Sequence, residues 1–119
     1  MRVFFLDDSH ERQRRFKMSR IGCILVQAFT YAEAIRALQE EAQFDEAYLD
    51  HDLSEKAAAG APEQGEKTGA DVARFITTMP KDKIPKVIYI HSFNFSGRVR
   101  MVQILGDAGI KAIVQPFTA

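Results

Sequence analysis

A chain of 119 residues, 46% of them hydrophobic, has room for one ordinary domain with a real core and little room for a second. Its sixteen basic and sixteen acidic residues cancel, which excludes the broad positive field of a dedicated nucleic-acid or membrane-surface protein, although a small anion could be held locally. Cys23 is the only cysteine, so an internal disulfide and any site with two thiolate ligands are excluded. We expect a cytoplasmic protein without a membrane segment, because no apolar run reaches the roughly 18–20 residues of a span and the first residues resemble a strand rather than a signal peptide.

Five short apolar runs rich in β-forming residues predict strands at 2–6, 22–29, 46–50, 86–90 and 111–114. Four segments between them have apolar residues at helical spacing. These helices are predicted at 10–18, from a capping box at 30–33 to near Gln43, from the Thr68 cap to the stop at Pro80, and from Ser96 to closing glycines at 106 and 109. Residues 54–67 have no sustained periodicity, so we expect a long mobile loop there, beside the site and available as a lid.

Strands that alternate with helices indicate an α/β domain with a parallel sheet, because a parallel connection needs a crossover helix. We therefore expect five parallel strands with helices on both faces. In such sheets ligands bind at the carboxyl ends of the strands, near the point where the strand order reverses. A functional site is predicted at that edge.

Three of the predicted strands run directly into polar residues. These are Asp7-Asp8 after the first strand, Asp50-His51-Asp52 after the third, and His91-Ser92-Phe93-Asn94 after the fourth. Asp7, Asp8 and Asp50 would converge at one edge, where unpaired carboxylates repel one another and need a cation. They are predicted to bind a metal, with Mg²⁺ as the first choice for oxygen ligands and Mn²⁺ as the alternative beside histidines. The competing explanation is that these carboxylates only cap helices and loops.

His51 and His91 are candidates for metal ligation or for proton transfer, since imidazole titrates near neutrality. Each could instead be structural and tie down a loop with a ring N–H group. If the backbone after the third strand stays extended, Asp50 and Asp52 point to one side and His51 to the other. Asp52 could then orient a histidine, or it could simply form an Asx turn.

Ser92 and Asn94 precede the predicted fourth helix, and their side chains together with the free backbone N–H groups of that helix could hold a phosphate. Arg98, one turn into the helix, could clamp the same phosphate through two N–H groups. The alternatives are helix capping for Ser92 and Asn94, and a solvated surface charge for Arg98.

The order of these residues resembles that in the receiver domains of response regulators. The matching features are the acidic pair Asp7-Asp8 after strand one, Asp50 at the end of strand three, Ser92 after strand four and the terminal Pro116-Phe117. Receivers have a lysine immediately before this proline that grips the phosphoryl group, whereas this chain has Gln115. The difference argues against phosphosignalling through Asp50.

The chain is more similar to an offshoot of the receivers, the cyclic-phosphate-processing receiver-like family. Residues 49–53 carry its Leu-Asp-His-Asp-Leu motif, residues 91–94 carry its His-Ser-x-Asn motif, and residues 68–72 resemble its Thr-Gly-x-Asp-Val helix start. Gly97 and Arg98, with Met101, resemble the family's following helix. The resemblance implies a flavodoxin-like doubly wound sheet of strand order 2-1-3-4-5, and processing of cyclic phosphate ends on nucleotides or RNA.

These observations favour an enzyme, a metal-dependent phosphoesterase that opens a cyclic phosphodiester. A metal at the carboxylates would lower the pKa of a bound water and act as a Lewis acid, while His91 or His51 gives or takes the proton. The alternative is a binding or signalling module, in which Asp50 accepts phosphate or the site only sequesters a nucleotide. The expected partner is a small cyclic nucleotide or an RNA terminus, with no membrane and no extended nucleic-acid surface.

Overall fold

The computed structural model describes residues 1–53 and 67–117, and it contains the five strands and four helices that the sequence predicts. In chain order the elements are β1 (Arg2–Leu6), α1 (His10–Ser19), β2 (Ile24–Ala28), α2 (Tyr31–Glu40), β3 (Glu46–Leu49), α3 (Gly69–Thr77), β4 (Val87–Ile90), α4 (Phe95–Asp107) and β5 (Ala112–Val114). The loop predicted at 54–67 lies outside the described residues, except for Lys67.

All five strands are parallel and pair in the order β2-β1-β3-β4-β5, which confirms the predicted doubly wound, flavodoxin-like sheet. The chain first winds outward from β1 to β2 and then returns to place β3 on the other side of β1. The strand order therefore reverses between β1 and β3, so the carboxyl ends of these two strands form the switch point where ligands bind in such sheets. Within the described ranges, no helix is both long and apolar enough to cross a membrane.

Helices cover both faces of the sheet, as predicted, but unequally. Alternation along β1 sends Phe4 to the face packed by α2, α3 and α4, and Phe5 to the face packed by α1. On the α1 face, Phe5 stacks on Phe16 with 4.0 Å between ring centroids. On the three-helix face, Met101 and Leu105 anchor α4 in the larger core. Because β1 is buried on both sides, it is the structural centre of the domain.

Two helices begin with different versions of the same capping pattern. The side chain of Thr68 accepts a backbone N–H of α3, and Asp71 accepts the N–H of Thr68 at 2.9 Å, which completes a capping box. Thr30 likewise accepts the N–H of Glu33 at 3.1 Å, but the carboxylate of Glu33 accepts the N–H of Phe29 instead. The capping box predicted at the start of α2 is therefore only half formed.

Helix α4 begins at Phe95, one residue before the predicted start at Ser96, and Asn94 is its N-cap. The Asn94 side chain accepts the N–H of Gly97 at 2.9 Å, which satisfies one of the free donors of the first turn. The end of α2 also differs from the prediction, since this helix stops at Glu40 rather than near Gln43. These corrections move a predicted site residue, Asn94, to the helix cap itself.

Candidate active site

The last residues of β1, β3 and β4 lie side by side in register at the carboxyl edge of the sheet. The next residues are Asp7, Asp50 and His91. Their backbone continues the ladder, with the N–H of Asp50 donating to Leu6 O at 3.2 Å and that of His91 to Leu49 O at 3.0 Å. Because side chains alternate along a strand, all three point to the α1 face. We call Asp7, Asp50 and His91 the edge row.

Three carboxylates gather at one end of the edge row. Asp7, Asp8 and Asp50 each offer an oxygen within 4.8 Å of the others, and Asp7 and Asp50 are buried. Burial, reinforced by the charge of Asp7, raises the pKa of Asp50 to about 7. This group of carboxylates is therefore short of positive charge, and its oxygen donors suit a hard divalent cation.

Arg12, in the first turn of α1, belongs to the site although the sequence analysis did not identify it. Its Nε and Nη2 groups donate to the two carboxylate oxygens of Asp7 at 2.7 and 2.9 Å. The same guanidinium lies 3.9 Å from an oxygen of Asp8 and 3.7 Å from one of Asp50. The single positive charge of Arg12 thus faces three carboxylates and neutralises only part of their negative charge.

A sequence signal for Arg12 exists in the way α1 begins. Ser9 caps this helix by accepting the N–H of Arg12 at 3.2 Å, while its own N–H donates to Asp7 Oδ1 at 2.8 Å. The cap therefore fixes Arg12 directly beside the carboxylate at the end of β1. The corresponding sequence pattern is a strand that ends in an acidic residue and is followed by a helix-capping residue. A basic residue three positions after that cap is then a candidate site residue, as Arg12 is here.

His91, the third member of the edge row, lies in an apolar setting. Its ring is 2% exposed and stacks on Phe5 with 4.8 Å between the centroids. Nε2 lies 3.1 Å from the carbonyl oxygen of Leu6, which only accepts, so Nε2 carries the proton. Nδ1 lies 3.7 Å from Asp7 Oδ2. Burial lowers the pKa of His91 and outweighs the opposing charge of Asp7, so the imidazole is neutral at pH 7.

His51 has a more polar environment. Its Nδ1 lies 2.8 Å from Asp52 Oδ1, and Asn94 Nδ2 donates to the same oxygen at 3.1 Å. Because an ionised carboxylate only accepts, His51 Nδ1 carries the proton and Nε2 has the lone pair. Within residues 1–53 and 67–117, no hydrogen bond forms at Nε2, and the side chain is 15% exposed. We call His51, Asp52 and Asn94 the His51 network.

The ionised state of Asp52 is supported by the same contacts. Partial burial acts to raise the pKa of this carboxyl, but hydrogen bonds from His51 and Asn94 more than offset it and lower the pKa below its ordinary value. The network therefore holds the His51 ring by a charged partner that is itself held by the α4 cap. Such a pairing fixes both the tautomer and the orientation of an imidazole.

Two glycines allow helices to approach residues 50 and 51 closely. A Cβ atom at Gly97, in α4, would lie 2.5 Å from Cγ of His51, and one at Gly69, in α3, would lie 1.9 Å from the carbonyl oxygen of Asp50. The N–H of Gly69 also donates to the carbonyl oxygen of His51 at 2.8 Å. Both helices thus press on the strand end that carries the site, and neither position has room for a side chain.

The predicted phosphate-binding residues surround the start of α4. Ser92 is buried, and its hydroxyl accepts the N–H of Asn94 at 3.0 Å. Arg98 is partly exposed, with Nη1 3.5 Å from the carbonyl oxygen of Ser92 and its guanidinium carbon 5.6 Å from the ring centroid of Phe95. Ser92 and Asn94 therefore shape the helix start, whereas the partly exposed Arg98 guanidinium makes no ion pair with a carboxylate among the described residues.

The predicted site residues divide between two sides of one edge. Asp7, Asp8 and Asp50 come together as predicted. The two histidines do not, since His91 directly follows its strand and faces α1, whereas His51 stands one position further along and faces α4. Asp52 pairs with His51 and is not part of the carboxylate group.

A doubly wound parallel sheet with an acidic group at its switch point defines a receiver-like α/β domain. A family model described as the cyclic-phosphate processing receiver domain matches residues 2–107, so the chain belongs to that family. The matched range contains both the edge row and the His51 network and reaches the end of α4.

Among solved structures, the chain is similar to a response regulator from Burkholderia pseudomallei, crystallised with a phosphorylated aspartic acid, a calcium ion and citrate. The TM-score is 0.66 at 16% sequence identity, and the match covers 98% of this chain and 61% of the response regulator. The likeness is one of fold, and this chain spans less than two thirds of that protein's length. No curated protein sequence matches the chain.

Proposed function

We propose that this domain is a metal-dependent phosphoesterase that opens cyclic phosphodiesters on nucleotides or RNA ends. Two features at the same edge of the sheet carry the proposal. One is a group of carboxylates able to hold a cation, and the other is an oriented, partly exposed histidine, His51, which follows Asp50 in the chain. Membership of the cyclic-phosphate processing receiver family supports a cyclic phosphate as the substrate.

Asp7, Asp8 and Asp50 are the residues that would hold the cation. They fit a hard ion because all three donors are oxygens and because burial leaves the negative charge of Asp50 poorly compensated. We propose Mg²⁺ as the physiological ion and Mn²⁺ as a substitute. When bound, a divalent ion supplies an acidified water and neutralises charge on the phosphate oxygens.

We propose His51 as the residue that transfers the proton. Its Nδ1–H is held by Asp52, so Nε2 can accept a proton from the attacking water or, once protonated, pass one to the leaving ribose oxygen. His91 is the weaker candidate, since its Nε2–H faces a backbone carbonyl and burial lowers the pKa of its imidazole. In this proposal His91 supports Asp7 and the packing beneath it.

Arg98 is the proposed phosphate ligand, because its partly exposed guanidinium lies at the start of α4, which Asn94 of the His51 network caps. Ser92 and Asn94 act on the phosphate indirectly by fixing that helix start. Asp52 has a positioning role toward His51. Each residue thus acts at one stage, from cation binding through substrate binding to proton transfer.

A signalling function is the second candidate, and it has a specific observation in its favour. Asp50 stands at the end of β3 beside two other carboxylates, in a fold shared with a response regulator whose structure contains a phosphorylated aspartic acid. One feature opposes it, since Gln115 stands at the position where receivers have a lysine.

One paired experiment tests the proposal against this alternative. The protein is incubated with nucleoside 2′,3′-cyclic phosphates and Mg²⁺ or Mn²⁺, and in parallel with acetyl phosphate and Mg²⁺. We expect a ring-opened phosphomonoester in the first reaction, with turnover lost in Asp50→Ala, and no aspartyl phosphate in the second. A stable aspartyl phosphate on Asp50, with every cyclic substrate untouched under both metals, would favour the signalling module instead.

A further inference from the structure

A groove between α4 and β5 begins next to the His51 network. It encloses about 550 Å³ and is lined by Phe95, Arg98, Val99, Val102, Gln103 and Val114. Phe95 is 69% exposed, and Val99 and Val114 are also largely exposed. These side chains contribute little to the core, and together they form an apolar surface with two polar side chains, Arg98 and Gln103. This composition is typical of ligand sites, which combine apolar walls with a few convergent polar groups.

The groove is continuous with the proposed catalytic site. Phe95 directly follows Asn94, whose side chain donates to Asp52 and lies 3.5 Å from His51 Nδ1. Arg98 joins the two regions, because its guanidinium lies over the Phe95 ring and also approaches the carbonyl oxygen of Ser92. A ligand with its phosphate near His51 would therefore extend naturally toward Phe95.

The charge along this part of the chain favours an anionic ligand. Helix α4 has two basic residues in its first half, Arg98 and Arg100, and a single acidic one at its last position, Asp107, although the whole chain has no net charge. Among the residues that the structure describes, no carboxylate lines the groove. The two polar lining residues are also of the types that read base edges, since Arg pairs with guanine and Gln with adenine through two hydrogen bonds.

We propose that the α4–β5 groove binds a nucleobase of the substrate, stacked on Phe95, with Arg98 and Gln103 at its edge. The inference rests on the proposed function and adds the subsite that holds the base of a nucleotide or RNA end. Stacking on an aromatic side chain is available to every base and is tolerant of sequence. Either a free cyclic nucleotide or the last nucleotides of an RNA chain could supply the base.

The test compares esters with and without a base. Adenosine 2′,3′-cyclic phosphate is compared with the 2′,3′-cyclic phosphate of 1-O-methylribose, and binding is measured by calorimetry alongside turnover. Removing a stacking side chain typically weakens binding by about 5- to 150-fold. We expect Phe95→Ala to weaken binding of the adenosine ester by such a factor and to leave the baseless ester unchanged, with Phe95→Trp restoring affinity. Ile24→Ala, which removes an exposed apolar side chain from β2, is the control and should change neither.

Several results would overturn the groove proposal. They are equal binding of both esters by the parent protein, equal weakening of both in Phe95→Ala, or a concentration-dependent dimer that Phe95→Ala abolishes, which would make the groove a protein interface. Turnover of the baseless ester keeps the proposed function while the groove proposal fails. If the adenosine ester binds in a Phe95-dependent manner but is not turned over, the groove proposal holds and the proposed function fails. An RNA trinucleotide ending in a cyclic phosphate identifies the source of the base, since tighter binding than the mononucleotide indicates an RNA end.

Discussion

The edge row and the His51 network contain the same residue type at the same edge of the sheet, yet they provide opposite environments for it. His91 is buried against Phe5, gives its Nε2–H to a backbone carbonyl and has a lowered pKa. His51 is partly exposed and is held through Nδ1 by the ionised carboxylate of Asp52. The first arrangement suits a packed structural ring, and the second suits a proton carrier.

The difference arises from the position of each residue relative to its strand. β3 and β4 end in register, so the residue one step beyond each strand faces α1, while the residue two steps beyond β3 turns toward α4. Asp50 and His91 take the first position, and His51 takes the second. A shift of one residue thus separates the group proposed to hold a cation from the group proposed to move a proton. The two groups can therefore be changed independently by substitution.

The largest expected effect comes from removing each histidine in turn. His51→Ala should lower turnover of a cyclic nucleotide by about 10²- to 10⁴-fold, the usual contribution of acid–base assistance. His91→Phe keeps a ring stacked on Phe5, so turnover should stay within about tenfold of the parent. The Leu6 carbonyl loses its bond from Nε2–H but still accepts the N–H of Asp50, so the loss of folding stability should be about 0.5–1.5 kcal/mol.

The measurement is steady-state turnover together with unfolding in urea, and calorimetry with Mn²⁺ provides the control for metal binding. Cation affinity should survive in His51→Ala, because His51 is not among the three carboxylates. A greater loss of turnover in His91→Phe than in His51→Ala would reverse the roles assigned to the two histidines. Loss of Mn²⁺ binding in His51→Ala would make His51 a ligand.

The second prediction concerns the pH dependence of stability in metal-free protein. The folded pKa of Asp50 is about 7, against about 3.9 in an unfolded chain. Between these values only the folded state retains the proton, so the free energy of unfolding falls as pH rises from about 4 to about 7. A shift of this size corresponds to about 4 kcal/mol. Asp50→Asn should abolish the fall, so it should match the parent near pH 4 and exceed it in stability at pH 8.

Asp52→Asn is the matched control, because the contribution of Asp52 to folding stability changes with pH in the opposite direction. The folded pKa of Asp52 is lowered, so its ionised form adds stability above the unfolded pKa, and that stability disappears as pH falls through the folded value. Urea unfolding in the presence of EDTA, at intervals from about pH 2 to about pH 8, provides both curves, because the Asp52 effect lies below pH 4 and the Asp50 effect above it. If the Asp50→Asn curve simply runs parallel to that of the parent, Asp50 is not the group responsible.

The sequence predicted the fold and the carboxylate group because both depend on local pattern. Five apolar runs, each separated by a helix, are sufficient to indicate a parallel sheet, and strand ends at one edge bring Asp7, Asp8 and Asp50 together. The separation of the histidines was less accessible. It depends on the pairing register of β3 with β4, which aligns Asp50 rather than His51 with His91, and register is set by tertiary packing.

Arg12 was not predicted because its role depends on how the Ser9 cap turns the first residues of α1 toward Asp7. In the sequence it is one of several arginines in a polar helix, and only the geometry of the Ser9 cap distinguishes it from Arg14, which pairs with Glu11 at the surface. The positions of Gly69 and Gly97 are similar cases. Their requirement for glycine comes from the approach of two helices to residues 50 and 51, which no local pattern reports.

The third prediction tests whether the orientation of His51 matters. A methyl group at Gly97 would overlap the imidazole, with its Cβ 2.5 Å from Cγ, so the ring must move away from Asp52 in Gly97→Ala. Displacing a catalytic group by about 1 Å can cost about 10²-fold in rate, so we expect turnover to fall by about 10- to 100-fold. Gly106→Ala, in the same helix, is the control because a Cβ there meets no atom within 4 Å. It should retain full activity. Unchanged turnover in Gly97→Ala would mean that the His51 network tolerates displacement.

The smallest expected effect concerns Arg12 and the cation. Its guanidinium already occupies both oxygens of Asp7 and lies near Asp50, so it competes with a divalent ion for the same carboxylates. Arg12→Gln removes that charge and should raise the affinity for Mn²⁺ by about tenfold, which corresponds to about 1.4 kcal/mol. Arg14→Gln, an exposed arginine of the same helix paired with Glu11, is the control and should leave the affinity unchanged. Calorimetric titration with Mn²⁺ decides the outcome. Lower affinity in Arg12→Gln would mean that the guanidinium holds Asp7 in position for the ion, and the edge row would then need its arginine as much as its carboxylates.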